Sequence, residues 1–229
     1  MLSKPQHPLD RPVWSALTTR QSHLAEGDAR ALRLEPTHGP FAAAADMSPA
    51  NLKALAGLIP DGGNVWTVEI EAMPQPPGTV VMSAALCHQM VAEAIAPSSP
   101  AFAIEPLTED DAPAMLALAT LTVPGPFLSR THRLGAFVGV KQDGQLVAMA
   151  GERMKLDNFT EVSGVCTHPD FRGRGYAGGL MCAVASGILA RGEQPFLHVY
   201  ATNAGAIGLY ETLGFRIRAT VTATVLASV

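Results

Sequence analysis

The turn Phe171-Arg172-Gly173-Arg174-Gly175-Tyr176-Ala177 stands where the side-chain period of the chain changes, and that position dictates much of the fold around it. Before it, FTEVSGVCT (159–167) has the composition of a strand. After it, Ala177, Leu180, Met181, Val184 and Ile188 recur at helical spacing until Gly192, which suits a left-handed cap. The first turn of such a helix has backbone N–H groups without internal partners, and its aligned peptide dipoles place about half a positive charge there. Glycines at 173 and 175 permit unusual φ values and leave room for an anion to reach the backbone, while Arg172 and Arg174 add charge. The segment therefore predicts a phosphate-binding loop between a strand and a helix.

Gly173, Gly175 and Gly178 also spell G-x-G-x-x-G, the dinucleotide fingerprint. Its context is wrong here. The fingerprint wants the strand to run straight into the first glycine and a carboxylate at the end of the next strand. Thr167-His-Pro-Asp-Phe-Arg intervenes, and PFLHVYATN (195–203) ends without a carboxylate.

The remaining signals are uneven along the chain. Early on, a helix is expected from Arg11, and Ser48-Pro49 opens a second through Ile59 by the N-cap and first-turn proline pattern. NVWTVEI (64–70) and TVVMSAAL (79–86) read as strands joined across PQPPG into a hairpin with an extended loop. Pro97-Ser-Ser-Pro100 has linker composition, and 229 residues suffice for two compact units, so the boundary is placed there: 1–100 and 101–229. In the second unit FAIEPL (102–107) predicts a strand, and Thr108 with Asp111 predicts a capped helix to about Ala119. VPGPFLSRTHRLG (123–135) reads as a loop bordering a site. AFVGVKQ, the Asp143-Gly144 turn and QLVAMAGERMKL form a hairpin, with FTEVSGVCT as the next strand. PFLHVYA (195–201) is a buried strand, Asn203 caps a helix to Leu213, and Gly214-Phe215 starts a final pair of strands. The fold class is α/β with a mixed sheet.

Residues 135–217 resemble the GNAT superfamily of acyl-CoA-dependent N-acetyltransferases. The resemblance rests on Arg172, Gly175 and Ala177 in the phosphate loop, on the V-x-x-H-P-D lead-in from Val165 to Asp170, and on Asn203, Tyr210 and Leu213-Gly214-Phe215 downstream. It implies a GNAT-like fold, acetyl-CoA as co-substrate, and direct attack of an amine on the thioester. It further implies that Val165, Cys166, Thr167, Arg172, Gly173, Arg174, Gly175, Tyr176, Ala177 and Asn203 line the CoA site, with the Val165 N–H donating to the acyl carbonyl. The two-unit order is also similar to the glycine N-acyltransferase-like group, with the first unit a degenerate GNAT-like half. An amino-acid acceptor is thus one alternative, and a CoA-binding scaffold without transfer is another. Family habit implies a homodimer.

The transfer needs an acid for the departing thiolate and a route for the amine proton. Tyr210 follows Asn203 by seven residues and so shares nearly one helical face with it; a phenol of ordinary pKa about 10 is protonated at neutral pH. Glu161, sharing a strand face with Ser163, is the preferred base, with Glu152 and ordered water as alternatives. Asn203 reads equally as a plain helix cap. Cys166 and His168 form no second ligand pair, so no metal is expected, and Cys166 is assigned to packing. Arg130 and His132 are read as solvated surface.

Composition excludes other classes. A net charge of −4 with no basic run argues against nucleic acid as a partner. No stretch has the length of a membrane span, and the start MLSKPQHPLDRPVW lacks the apolar core of a signal peptide, so a cytoplasmic protein acting on a small-molecule or peptide amine is expected. Cys87, Cys166 and Cys182 lack paired spacing and are expected to be reduced and mostly buried.

Overall fold

Alternating and apolar runs from both ends of the chain join one sheet in the computed structural model, which describes residues 7–97 and 99–229. Residues 1–6 of the expected polar start and Ser98 of the expected linker lie outside the described residues. The elements are, in order, α1 (Pro12–Thr18), β1 (Ala25–Asp28), β2 (Ala31–Leu34), β3 (Ala42–Ala44), α2 (Pro49–Ala56), β4 (Asn64–Glu69) and β5 (Thr79–Val91). There follow β6 (Glu105–Pro106), α3 (Ala112–Thr122), β7 (Phe137–Gln142), β8 (Gln145–Leu156) and β9 (Phe159–Thr167). The chain finishes with α4 (Tyr176–Ala190), β10 (Gln194–Tyr200), α5 (Ala204–Leu213) and β11 (Arg216–Ser228).

Strands β1 to β3 make a small antiparallel sheet, and the other eight form a mixed sheet in the order β4-β11-β5-β10-β9-β8-β7-β6. Only β9 and β10 are parallel within it. Strands from either side of Pro100 thus share one sheet.

Two pairings differ from the expectation. β4 and β5 are not hairpin partners, because β11 lies between them and bonds to both. The prolines at 74, 76 and 77 mark the chain reversal but carry no information about which strand becomes the neighbour. The expected final pair of strands is one long strand, since Arg216–Ser228 contains no glycine or proline to break it. FAIEPL also shrinks to the two residues of β6, an edge position that tolerates Pro106 without its N–H.

Alternation along β8 sets the layers. Ala148 and Ala150 pack with α4 through Leu180, Met181, Val184, Ala185 and Ile188, whereas Met149 faces Met115, Leu118 and Ala119 of α3 on the other side. Helix α1 also packs on the sheet, through Val13, Ala16 and Leu17 against Met154, Leu156 and Phe196. The N-terminal segment is fastened by polar contacts as well: Gln21 donates to the Arg153 carbonyl and accepts from the Lys155 N–H, and the Gln89 amide donates to the Leu9 carbonyl.

Leu226, fully buried on β11 against Leu52, Leu55 and Val65, reports on the unexpected strand order. Leu226→Ala is expected to cost about 2–5 kcal/mol, read as a lower urea midpoint with unchanged slope. An unchanged midpoint would contradict an interior place for β11.

Candidate active site

The predicted loop has the backbone its glycines imply. Gly173 has φ +76° and Gly175, the N-cap of α4, has φ +78°. A Cβ at either would meet nothing within 4 Å, so both open onto free space. No side chain caps the helix, which leaves its first N–H groups directed at that space. The Arg174 guanidinium lies 4.8 Å from the Phe171 ring centroid, and neither Arg172 nor Arg174 forms an ion pair among the described residues. A shallow cavity of about 370 Å³ is lined there by Val165, Cys166, Thr167 and residues 171–178. This brings together all the predicted CoA residues except Asn203. Within the set, Tyr176 and Cys166 are largely buried, Tyr176 edge-on to Phe102 and Cys166 beside Met149 and Met115.

The sheet parts beside this loop. β9 and β10 pair only from Gln194↔Phe159 to Phe196↔Glu161, after which β10 stays with β5 as far as Tyr200↔Cys87. On its other edge β9 carries a bulge: Cys166 pairs with Met149 and Ser163 with Gly151, so Gly164 and Val165 both lie opposite Ala150. Gly164 takes up the distortion at φ +63°. Val165 is turned by this bulge at the mouth of the opening.

A second cavity, about 320 Å³, fills the gap and shares Val165, Thr122 and Pro124 with the first. Its lining includes Tyr210, Asn203, His198, Arg153, Cys87 and Trp66. A third, about 570 Å³, continues outward past Trp66, Tyr200 and Pro126 over the N-terminal segment. The three cavities adjoin through shared lining residues, the last two through Trp66, Val123, Gly125, Pro126 and Tyr200, and are together called the channel.

Tyr210 and Asn203 share the second cavity, as their seven-residue spacing implies. Burial pushes the Tyr210 phenol above its ordinary value, so it keeps its proton well past neutral pH. Asn203 is the N-cap of α5: its Oδ1 accepts from the Ala206 N–H at 3.2 Å, and its amide Nδ2 has no partner among the described residues.

The two candidate carboxylates lie elsewhere. Glu161 is fully buried, and its oxygens accept from Arg153 Nε and Nη2 at 2.8 Å each and from His198 Nδ1 at 2.8 Å. Burial alone would raise this carboxyl, but the Arg153 charge and the hydrogen bonds from Arg153 and His198 outweigh it and hold it at about 2. The ring tautomer follows from the network: Gln89 Nε2 approaches His198 Nε2 at 3.1 Å while its Oε1 accepts from Arg218, so the imidazole proton sits on Nδ1 and is donated to Glu161. Glu152 is buried too, in ion pairs with Lys155 and Arg191 at 2.9 and 2.7 Å, away from the channel.

Other sequence readings fall out simply. Burial raises the Cys166 thiol to about 11, and all three cysteines are free and buried. No cluster of metal-ligating side chains occurs among the described residues, and none of their helices is long and apolar enough to cross a membrane. His132 departs from its reading as solvated surface, since its side chain is largely buried and bonds Glu109, whereas Arg130 is exposed as expected. Sequence reasoning missed Arg153, His198, Phe41 and Trp66, all of which line the second cavity. Two come from the first hundred residues, where no motif flags them. Arg153 lies near the end of β8 in the charged run Glu152-Arg153-Met154-Lys155, and nothing local singles it out from its neighbours.

Comparison with known proteins agrees with this geometry. The FR47-like protein family model matches residues 137–224. A protein of Novosphingobium aromaticivorans, described as an acetyltransferase from the GNAT family, has 50% identity and a TM-score of 0.92, with 98% of this chain and 100% of that one covered. A GCN5-related N-acetyltransferase-like protein from Streptococcus suis has 15% identity and a TM-score of 0.62 over 100% of this chain and 95% of its own. A GCN5-related N-acetyltransferase from Kribbella flavida has 20% identity and a TM-score of 0.61 over 94% and 92%. These last two share the fold. A search of curated proteins gives no match.

The buried Glu161 ties stability to pH. Its folded carboxyl releases its proton more readily than the ordinary carboxyl of 4.5, so ionisation supports the fold above that pH and the support fades as pH falls toward about 2. Glu161→Gln is expected to lose about 3–5 kcal/mol at neutral pH and to show a flatter decline in urea midpoint between about pH 5 and 3 than the parent. Parallel declines would show that Glu161 is not the group responsible.

Proposed function

The chain belongs to the GNAT family of acetyltransferases, and we propose that it moves the acetyl group of acetyl-CoA to a primary amine by direct attack, without a covalent enzyme intermediate. The observation that carries this reading is the continuity of the channel: Val165 lies at once beside the phosphate loop and in the cavity that holds Tyr210. A carrier bearing a pyrophosphate fits the loop, since the space beyond Gly173 and Gly175 is free and the N–H groups facing it are uncapped.

Residues 172–177 hold the pyrophosphate through backbone N–H groups and the two arginines. The parted edge of β9 at Val165, Cys166 and Thr167 offers main-chain hydrogen bonds to an extended arm, as an added strand would take them. Bound there, acetyl-CoA supplies a thioester carbonyl at the channel's midpoint. The Val165 N–H donates to that carbonyl oxygen, where negative charge develops. Tyr210 gives its proton to the departing sulfur, and its burial keeps that proton in place at neutral pH. Asn203 orients the arm with its free amide.

The amine proton goes to solvent in the channel. A general base works best with a pKa near the working pH, and a carboxylate held at about 2 is far below it. Its ion pair with Arg153 supports reading Glu161, the preferred base from sequence, as the anchor of that arginine.

In a thiol-release assay with acetyl-CoA and pooled amines, Tyr210→Phe is expected to lower kcat by about 10²-fold or more with little change in KM for acetyl-CoA. An unchanged kcat removes Tyr210 from the role of acid. Gly175→Val forces a β-branched residue to φ +78° and is expected to weaken CoA binding by calorimetry at least about tenfold. Absence of CoA binding by the parent protein would overturn the donor assignment.

A further inference from the structure

The acceptor side of the channel is chemically one-sided. Among the residues lining its second and third cavities there are two arginines, Arg153 and Arg33, and no aspartate or glutamate. A second ammonium group on the acceptor would meet no counter-charge there. Arg33 is spent on Glu26 and the Leu58 carbonyl. Arg153 is only half spent: Nε and Nη2 pair with Glu161, and Nη1 has no acceptor among the described residues.

Its setting holds this unused edge in place. The guanidinium is clamped by a carboxylate that is itself fully buried, and its carbon lies 4.7 Å from the Phe41 ring centroid. Gly125 lies beside this edge: a Cβ there would stand 3.9 Å from Nη1, and a larger side chain would crowd it. A rigid fork with free N–H groups suits an acceptor's carboxylate better than a flexible ammonium would, because little rotamer freedom remains to be lost on binding. The cavity that holds both this fork and Tyr210 has apolar wall from Val68, Val199 and Ala223 beside the polar groups of Thr122, His198 and Asn203.

We propose that the acceptor is an amino carboxylate whose anionic end is read by Arg153 Nη1 while its amine reaches the acyl carbonyl at Val165. This rests on the transferase reading above and names the substrate class of the same channel. Glu161, which carries the clamp, and Val165 are four residues apart on β9, a span below the roughly 13 Å of fully extended strand because Gly164 bulges between them. The two ends of the acceptor are therefore separated by an apolar chain of several bonds. Arg153 is a specificity residue and takes no part in bond making.

The test compares 6-aminohexanoate with hexylamine and 1,6-diaminohexane, using acetyl-CoA and thiol release on the intact protein, with acetyl-CoA binding followed separately by calorimetry. The parent enzyme is expected to favour 6-aminohexanoate over both amines by about tenfold or more in kcat/KM, as a charge-assisted pair would give. Arg153→Lys keeps a cation for Glu161 but loses the fork, and is expected to compress that ratio at least about fivefold, mostly through KM, with acetyl-CoA affinity unchanged. Equal or better turnover of hexylamine or the diamine by the parent, no turnover of the amino carboxylate, or a ratio untouched in Arg153→Lys overturns the proposal. The parent's own preference decides the matter even if the variant fails to fold. Failure of the transferase reading looks different: calorimetry then shows no acetyl-CoA binding, or binding is seen with no thiol release from any of the three acceptors.

Discussion

Two parallel strands that pair for three residues and then diverge are an unusual demand on a sheet, because every backbone N–H and C=O released by the divergence still needs a partner. That demand organises the rest of the molecule. β10 answers it by staying with β5, and β9 answers it on one edge with β8 across a bulge. Its inner edge near Val165 is left for a ligand, and α4 delivers an uncapped N-terminus close by. In the proposed reading, the binding site is made of backbone groups for which the fold itself provides no partner.

Holding such a gap open requires rigidity on both flanks. Below it, Glu161, Arg153, His198 and Gln89 form a buried hydrogen-bonded chain that continues to Arg218 and from there to Asp10. Buried ionic groups seldom add stability over an apolar core, but they tolerate few alternative arrangements. Here they tie β8, β9, β10, β5 and β11 to Asp10 of the N-terminal segment through one hydrogen-bonded chain.

The catalytic half was legible because its signals are local. Gly173 and Gly175 announce their φ values, the change of period at Ala177 announces the helix, and Asn203 and Tyr210 share a face by spacing alone. The Asp143-Gly144 turn likewise adopts positive φ at both residues, as its hairpin demands. What escaped was non-local. Nothing near β4 or β5 says that a strand more than a hundred residues away will separate them. The proton affinity of Glu161 was equally hidden, because it depends on Arg153 and His198, neither a sequence neighbour. Trp66 and Phe41 reach the channel only through the tertiary arrangement of the first hundred residues.

The place of β11 has a bearing on biogenesis. During synthesis β4 and β5 emerge early and wait, with apolar and hydrogen-bonding edges bare, until translation reaches the strand that belongs between them. The wall containing Trp66 is complete only once β11 has taken its place, so the bare edges of β4 and β5 are satisfied together in one late step of folding.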